Sequence, residues 1–313
     1  MSRYQETHAG VTRIDVEYVR PGFTAAWLVR ERGRAVFVET GPLPAVPLLL
    51  GALTRHGLSP GAVEAIIVTH VHLDHAGGAG ELLRHLPNAR LLVHPSGLQH
   101  LVDPSRLIAG AKVVYGEERF MATLGGAVPV DPARVHCPAD GETFSLAGRP
   151  LTLLETPGHS LNHLCVFDEA SRSLFTGDAF GLSYRELDGI GRPFFLPATT
   201  PTQFDPQSYQ ETVRRLAALG PARLCLTHFG SVPWMPVYVD DLERQLEVYR
   251  QLAMETNEKM AHDALVAALR GDLRERLGGT GVEPLLDLLA MDLDLNAQGL
   301  AVWRERQGRR AAT

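Results

Sequence analysis

The sequence predicts an α/β fold with a C-terminal helical appendage. Up to about residue 124, apolar β-branched runs alternate with helical stretches. From Thr143 to Thr176 the pattern changes to paired short strands, and beyond Val237 helices follow one another with no strand between them. The expected division is a main domain over residues 1–236 and the helical appendage over 237–313.

Thr12–Val19, Thr24–Val29 and Arg34–Glu39 are rich in β-branched and aromatic residues and read as strands. Pro42 to His56 reads as a helix closed by Gly57. Strand Val63–Val68 leads into a histidine-rich loop, then a helix over Ala79–Leu86, strand Arg90–Val93 and mostly helical sequence from Ser96 to Leu124. Thr143–Leu146 with Leu151–Leu154, and His163–Phe167 with Ser173–Thr176, read as hairpins. The Pro-rich stretch Pro193 to Pro206 has no clear period. Gln207–Leu219 reads as a helix with Asp205 as N-cap and Pro206 at its first position, followed by strand Ala222–Leu226. The appendage reads as helices over Asp241–Met254, Asp263–Arg276 and Glu283–Arg306.

Composition narrows the function classes. The 313 residues are 45% hydrophobic and 21% charged, ordinary for a globular protein that buries a sizeable core. A net charge of −6 gives no general attraction to nucleic acid or anionic membrane, so neither is an expected partner. Residues Met1 to Arg20 are too charged for a signal-peptide core, and the longest apolar stretch, Leu43 to Leu53, is short and broken by Pro44 and Pro47. The expected location is therefore cytoplasmic. Cys137, Cys165 and Cys225 are widely spaced, with no C-x-x-C, and read as small buried hydrophobes in a reducing compartment.

The chemistry concentrates in Thr69-His70-Val71-His72-Leu73-Asp74-His75, three imidazoles and a carboxylate directly after an apolar strand. That donor set suits zinc, iron or manganese. In an extended backbone His70, His72 and Asp74 share one face and His75 the other, and a bend here aims them at two adjacent metal centres. Three further apolar runs switch abruptly to ligand-type residues: Leu151–Glu155 toward His159, Leu174–Thr176 into Gly177-Asp178, and Leu224–Leu226 into Thr227-His228. Open sheets place their sites at strand ends, where loops aim side chains over a rigid platform. Five imidazoles and two carboxylates suffice for two metals with a position left for water. His8, His56, His85, His100, His136 and His262 lie in exposed-looking or helical contexts without a site role, and His94 is placed at the pocket rim.

These residues resemble the metallo-β-lactamase superfamily over roughly Thr12 to Phe229. His70-x-His72-x-Asp74-His75 looks like its H-x-H-x-D-H motif, and His159 in Pro157-Gly158-His159-Ser160 looks like its third ligand motif. Asp178 resembles the bridging aspartate and His228 the last histidine. The resemblance implies an αββα four-layer sandwich with the site on one edge. It assigns one metal to His70, His72 and His159, the other to Asp74, His75 and His228, with Asp178 between them. Glu39 stands where many members have Asp before Thr-Gly, and is read as a support for the ligand loop together with His163.

The loop Thr69 to Gly78 is similar to the glyoxalase II and lactonase-like branches. That implies a binuclear metal-dependent hydrolase in which a metal-bridging hydroxide attacks a small ester, thioester or lactone, with Asp74 orienting it and passing a proton to the leaving group. Two divalent ions are expected, zinc first, with iron or manganese compatible. Alternatives are an iron-dependent, persulfide dioxygenase-like oxidoreductase and a phosphodiesterase. Phe180, Tyr184 and Arg185, following Asp178, are read as substrate-binding residues for a small molecule. The appendage is expected to cap the site, with Trp234, Met235 and Tyr238 at the junction, and to offer a surface for a homodimer.

Overall fold

The structure is a computed structural model and describes residues 2–190, 192–199, 202–255, 258–277 and 281–311. The chain divides into two compact units: Met1–Glu155, Asn162–Gly177 and Gly220–Trp234 form the first, and Thr156–Leu161, Asp178–Leu219 and Met235–Thr313 the second.

The first unit holds both sheets. Strands β1 (Tyr4–His8), β2 (Val11–Asp15), β3 (Ala25–Glu31), β4 (Arg34–Val38), β5 (Val63–Ile67), β6 (Arg90–Leu92) and β7 (Val135–His136) pair in sequence order. Pairing is antiparallel from β1 to β4 and parallel from β4 to β7. The second sheet contains β8 (Thr143–Leu146), β9 (Arg149–Glu155), β10 (Leu164–Asp168), β11 (Ser173–Gly177), β12 (Arg223–Leu226) and β13 (Gly230–Pro233), in the order β13-β12-β11-β10-β9-β8. Only its β11–β12 pair is parallel.

Alternation decides how the sheets pack. Val36, Val38 and Ile67 of the first sheet share one apolar core with Leu153, Val166 and Phe175 of the second. Trp27 meets Phe175 edge-on across it, with ring centroids 5.7 Å apart. The intervening Ala35 and Phe37 of β4 are also buried, so that strand is covered on both faces, as parallel pairing requires. Helices α1 (Val46–Arg55), α2 (Leu73–Ala76), α3 (Ala79–His85), α4 (Leu98–Val102), α5 (Ser105–Tyr115) and α6 (Glu117–Thr123) complete this unit, with α1 packed near β2 and α3 near β6.

Two local features depart from the sequence expectation. The strand expected over Thr12–Val19 stops at Asp15, because the Asp15 carboxylate accepts hydrogen bonds from the backbone N–H of Glu17 (3.1 Å) and Gly22 (2.8 Å) and closes the following residues into a loop. Strand β1 has no counterpart in the sequence expectation. It is a largely polar edge strand with no apolar period, held by backbone pairing to β2.

The second unit contains α7 (Pro206–Ala218), α8 (Val237–Glu255), α9 (Glu258–Leu277), α10 (Val282–Leu288) and α11 (Ala290–Ala311). Asp205 caps α7 by accepting from Ser208 N at 2.9 Å. The single helix expected over Glu283–Arg306 is two, because Leu289 leaves helical geometry at φ −93°, ψ 3°. The C-terminal helices are fastened to the irregular segment after Asp178 by buried polar side chains. Asn296 donates to Pro197 O (2.9 Å) and accepts from Thr199 N (2.8 Å), and Gln245 donates to Phe195 O (2.6 Å). Tyr238 packs its ring 4.6 Å from that of Phe195. Thr200 and Pro201 of the Pro-rich stretch lie outside the described residues, as do the last two residues of the appendage. Among the described residues, no helix is long and apolar enough to cross a membrane.

Candidate active site

Strand β5 ends at Ile67, and the chain then makes a single helical turn rather than staying extended. His75 N and Ala76 N donate to His72 O at 3.0 and 2.8 Å, so Asp74 and His75 project from α2. This brings them together with His228, which follows β12. Asp74 Oδ2 lies 3.6 Å from His75 Nε2 and 3.3 Å from His228 Nε2, and the two imidazole nitrogens are 3.3 Å apart. These three residues are a potential metal-holding group, with all ligand atoms within 4.8 Å of one another.

Hydrogen bonds on the far side of each ring assign the tautomers. His75 Nδ1 lies 3.0 Å from Glu39 Oε1, and His228 Nδ1 lies 3.1 Å from the Phe23 carbonyl. Both acceptors require an N–H at Nδ1, which leaves the two Nε2 atoms as lone-pair donors. Two imidazole lone pairs and a carboxylate facing one another at such distances repel unless a cation lies among them. The donor set therefore fits a divalent metal, with outer partners that orient each ligand.

Glu39 is the hub beneath this loop. It sits at the end of β4 in the left-handed region, φ 67°, and is completely buried. Its carboxylate accepts from Thr69 Oγ1 (2.5 Å), Thr69 N (3.2 Å), His75 Nδ1 (3.0 Å) and Thr227 Oγ1 (3.2 Å). Glutamate here reaches both the β5 and β12 ligand loops. Thr69 Oγ1 in turn faces His70 Nδ1 at 3.1 Å. His70 Nε2 stands 2.7 Å from His72 Nδ1, and the His70 ring stacks on His163 with centroids 5.0 Å apart. Asn162 fixes the loop by accepting from Val71 N at 3.2 Å.

Gly177 ends β11 at φ 49°, and a Cβ there would come within 2.4 Å of Thr69 Oγ1 and 2.6 Å of His163 Nε2. Only glycine allows that close approach.

In the second unit, His159 and Asp178 face each other, with His159 Nε2 3.4 Å from Asp178 Oδ2. His159 Nδ1 is anchored on the Ala198 carbonyl at 2.9 Å. The Tyr209 hydroxyl donates to the Asp178 carbonyl at 2.5 Å. Gly158 admits Tyr209, whose Cα would stand 2.4 Å from a Cβ at that position.

The residues expected to touch substrate are placed less openly. Phe180 is buried against Phe195 with centroids 5.7 Å apart, and the Tyr184 hydroxyl donates to Asp292 at 3.2 Å. Arg185 is half-buried, donating to the Ser183 carbonyl at 2.5 Å and pairing with Asp188 at 3.0 Å. His94 caps a short turn through Ser96 N (3.2 Å), and burial lowers its pKa. Sequence reasoning gave no role to Thr69, Thr227, Phe23, Asn162 or Tyr209. One signal was available: a threonine stands immediately before His70 and before His228.

Comparison with known proteins finds relatives in both sequence and structure. Residues 19–228 match the Metallo-beta-lactamase superfamily. Hydroxyacylglutathione hydrolase of Salmonella paratyphi B is 30% identical over 201 residues, which is 64% of this chain and 59% of that relative's length. Among solved structures, an archaeal metallo-beta-lactamase superfamily protein from Sulfolobus tokodaii has a TM-score of 0.65 at 23% identity, covering 94% of this chain and 99% of that one. A metallo-beta-lactamase family protein from Thermus thermophilus has a TM-score of 0.62 at 21% identity, covering 96% and 94%. The chemotaxis sensor ODP, solved as a peroxy diiron species, has a TM-score of 0.53 at 16% identity, covering 77% and 93%. Because that family match covers more than half of the chain, this chain belongs to the metallo-beta-lactamase superfamily.

Proposed function

We propose that the protein is a binuclear metal-dependent hydrolase acting on a small thioester, ester or lactone, with a thioester of the hydroxyacyl-glutathione kind as the first candidate. The observation that carries the metal reading is the convergence of Asp74, His75 and His228, each imidazole oriented from behind by a buried acceptor. The choice of substrate class is supported by the Salmonella relative's name and matched length.

In this reading Asp74, His75 and His228 hold one ion. His70, His72 and His159 hold the other, and Asp178 contributes to both. Zinc is the expected metal, and the same donors accept iron or manganese. When bound, the metals supply Lewis acidity and lower the pKa of a water to about 7.

The protein's own residues do the rest. Glu39 and Phe23 O keep His75 and His228 in one tautomer. The Asp74 carboxylate, which remains partly open to solvent, orients the attacking water and carries its proton to the leaving group.

The test is a hydrolysis panel of thioesters, lactones, phosphodiesters and β-lactams on protein of measured metal content, run beside a persulfide-dependent oxygen-uptake assay. About two metal ions per chain with thioester or lactone turnover is the expected result. Oxygen uptake without hydrolysis would replace this reading by the oxidoreductase alternative.

A further inference from the structure

The loop between β2 and β3, residues 16–24, contains no helix or strand, yet its bonds converge on one carbonyl. Phe23 O accepts from His228 Nδ1 at 3.1 Å, and Thr24 Oγ1 lies 3.2 Å from the same nitrogen. The residues on either side of Phe23 are pinned. Gly22 N donates to the Asp15 carboxylate at 2.8 Å, and the Thr24 carbonyl accepts from Val16 N at 3.0 Å. One residue further on, Ala25 N donates to Thr227 O at 2.8 Å, so backbone also joins this loop to the segment that carries His228. The Phe23 ring adds an edge-on contact with the imidazole at 5.6 Å.

Asp15 is the source of this order. Its side chain is buried, and its carboxylate accepts from two backbone N–H groups of the loop, Gly22 on Oδ2 and Glu17 on Oδ1 at 3.1 Å. A carboxylate that deep is tolerated only where such bonds replace its water. The loop it closes is not relaxed. Glu17 and Val19 lie in the left-handed region, at φ 55° and 61°, and a β-branched residue there is a true outlier. Arg20 N donates to the Tyr18 carbonyl across Val19 at 2.6 Å, which with positive φ is the rare, strained three-residue turn. Val19 is 45% exposed, so burial of its own side chain does not offset that strain. Backbone strain persists only where the surroundings enforce it, and it gathers where position matters. The position enforced here is that of Phe23 O against an imidazole of the candidate metal site.

We propose that Asp15 is a positioning residue for His228. Its carboxylate fixes the loop so that Phe23 O and Thr24 Oγ1 hold the imidazole with its proton on Nδ1 and its Nε2 lone pair toward Asp74 and His75, each 3.3 Å away. The proposal rests on the metal-site part of the hydrolase reading. Asp15 acts through the main chain: from its carboxylate to Gly22 N, along the backbone to Phe23 O, and from there to Nδ1. His75 is held by a separate device, the Glu39 carboxylate on its own Nδ1 at 3.0 Å. Two ligands of one proposed ion are thus fixed independently, one by a carboxylate directly and the other by a carbonyl that a second carboxylate sets in place. Weakening Asp15 should therefore disturb His228 and leave His75 in its tautomer.

Asp15→Asn in the full chain tests this. The amide keeps the size of the side chain but offers one acceptor oxygen where two N–H donors need one each. Nitrogen NMR of the metal-free protein reads the ring directly. Wild type should show His228 as a single tautomer with its hydrogen on Nδ1, and the variant a mixture of tautomers, with His75 unchanged. In zinc-loaded protein, a chelator should remove the ion proposed at Asp74, His75 and His228 about 10-fold more readily than in wild type, while the ring signals of His70 and His72 stay as they were. A purely structural Asp15 would lower the melting temperature and leave the His228 ring and the order of release as in wild type. That result overturns the proposal, and so does equal weakening of both ions. Linkage supplies a second measurement, made on the wild type and independent of whether the variant folds: if these loop bonds favour the metal, the metal must favour the bonds by the same factor. Hydrogen exchange at the Glu17 and Gly22 amides should slow by about 10-fold on zinc binding, and unchanged exchange overturns the proposal. If the wild type takes up no zinc, the metal reading fails on its own evidence. Asp15 is then judged on the metal-free ring, where a mixture of tautomers in the variant supports its positioning role and an unchanged ring overturns it.

Discussion

Glu39 controls His75 and His70 by different routes, and the contrast shows how one buried carboxylate can govern two halves of a ligand loop. His75 gives its Nδ1 proton directly to Glu39 at 3.0 Å. His70 is reached through an intermediary: its Nδ1 faces the Thr69 hydroxyl at 3.1 Å, and that hydroxyl donates to Glu39 at 2.5 Å. The direct bond is charge-assisted and shields an imidazole whose other nitrogen meets Asp74 and His228. The relayed bond is neutral at the imidazole and only indirectly sensitive to the carboxylate. The same residue therefore holds one imidazole directly and orients the other only through Thr69.

The largest effect lies outside this contrast and sets its scale. Asp178→Ala removes the carboxylate proposed to serve both metals. Turnover should fall by about 1,000-fold or more, equivalent to several kcal/mol of transition-state stabilisation. The fold should survive, because Gly177 and the Tyr209 bond to the Asp178 carbonyl involve only backbone at this position. Circular dichroism and metal analysis check the fold, and steady-state kinetics the turnover. Near-normal turnover would remove Asp178 from the mechanism.

Glu39→Gln comes next. The amide keeps the shape and an acceptor oxygen for Thr69 Oγ1, His75 and Thr227, but it is uncharged and turns an N–H₂ toward the Thr69 N–H. Loss of an outer partner costs about 10–100-fold in metal affinity or activity. Because the direct bond loses its charge assistance and the relayed one was neutral at the imidazole, the ion proposed at Asp74, His75 and His228 should be released first on titration with a chelator. Release of both ions in a single step would mean that the two routes are equivalent.

How much of this was legible in the sequence follows from where the information lies. The strand-end ligands could be read because an apolar run that stops abruptly at Thr-His or Gly-Asp is a local signal, confined to a few residues. Glu39 was legible as a position because it ends a strand. Its four donors were not, since they come from Thr69, His75 and Thr227, up to 188 residues away. The same distance hid the Tyr184–Asp292 bond, which spans 108 residues and buries a tyrosine that looked free to meet substrate. The turn at Val19 was invisible for a different reason. Propensity reads valine as strand, whereas the bonds from Asp15 to Glu17 N and Gly22 N impose a loop. Edge strand β1 carries no apolar period, so its pairing with β2 could not be inferred from its own residues.

The smallest and sharpest test is Thr69→Val, with Thr227→Val as its control. Both substitutions are nearly isosteric and delete one hydroxyl that donates to Glu39. Thr227 makes only that side-chain contact with the hub, so its loss should cost about 0.5–1.5 kcal/mol of stability and leave both ions in place. Thr69 is also the acceptor for His70, so its replacement frees the His70 ring to rotate or change tautomer while His75 keeps its direct bond. The expected result is weaker binding of the ion proposed at His70 and His72, unchanged binding of the one proposed at Asp74, His75 and His228, and a melting temperature close to that of Thr227→Val. Chelator titration followed by elemental analysis reads the two ions separately. If Thr69→Val and Thr227→Val lose metal to the same extent, the threonine is not a relay, and Glu39 acts on the loop only through His75.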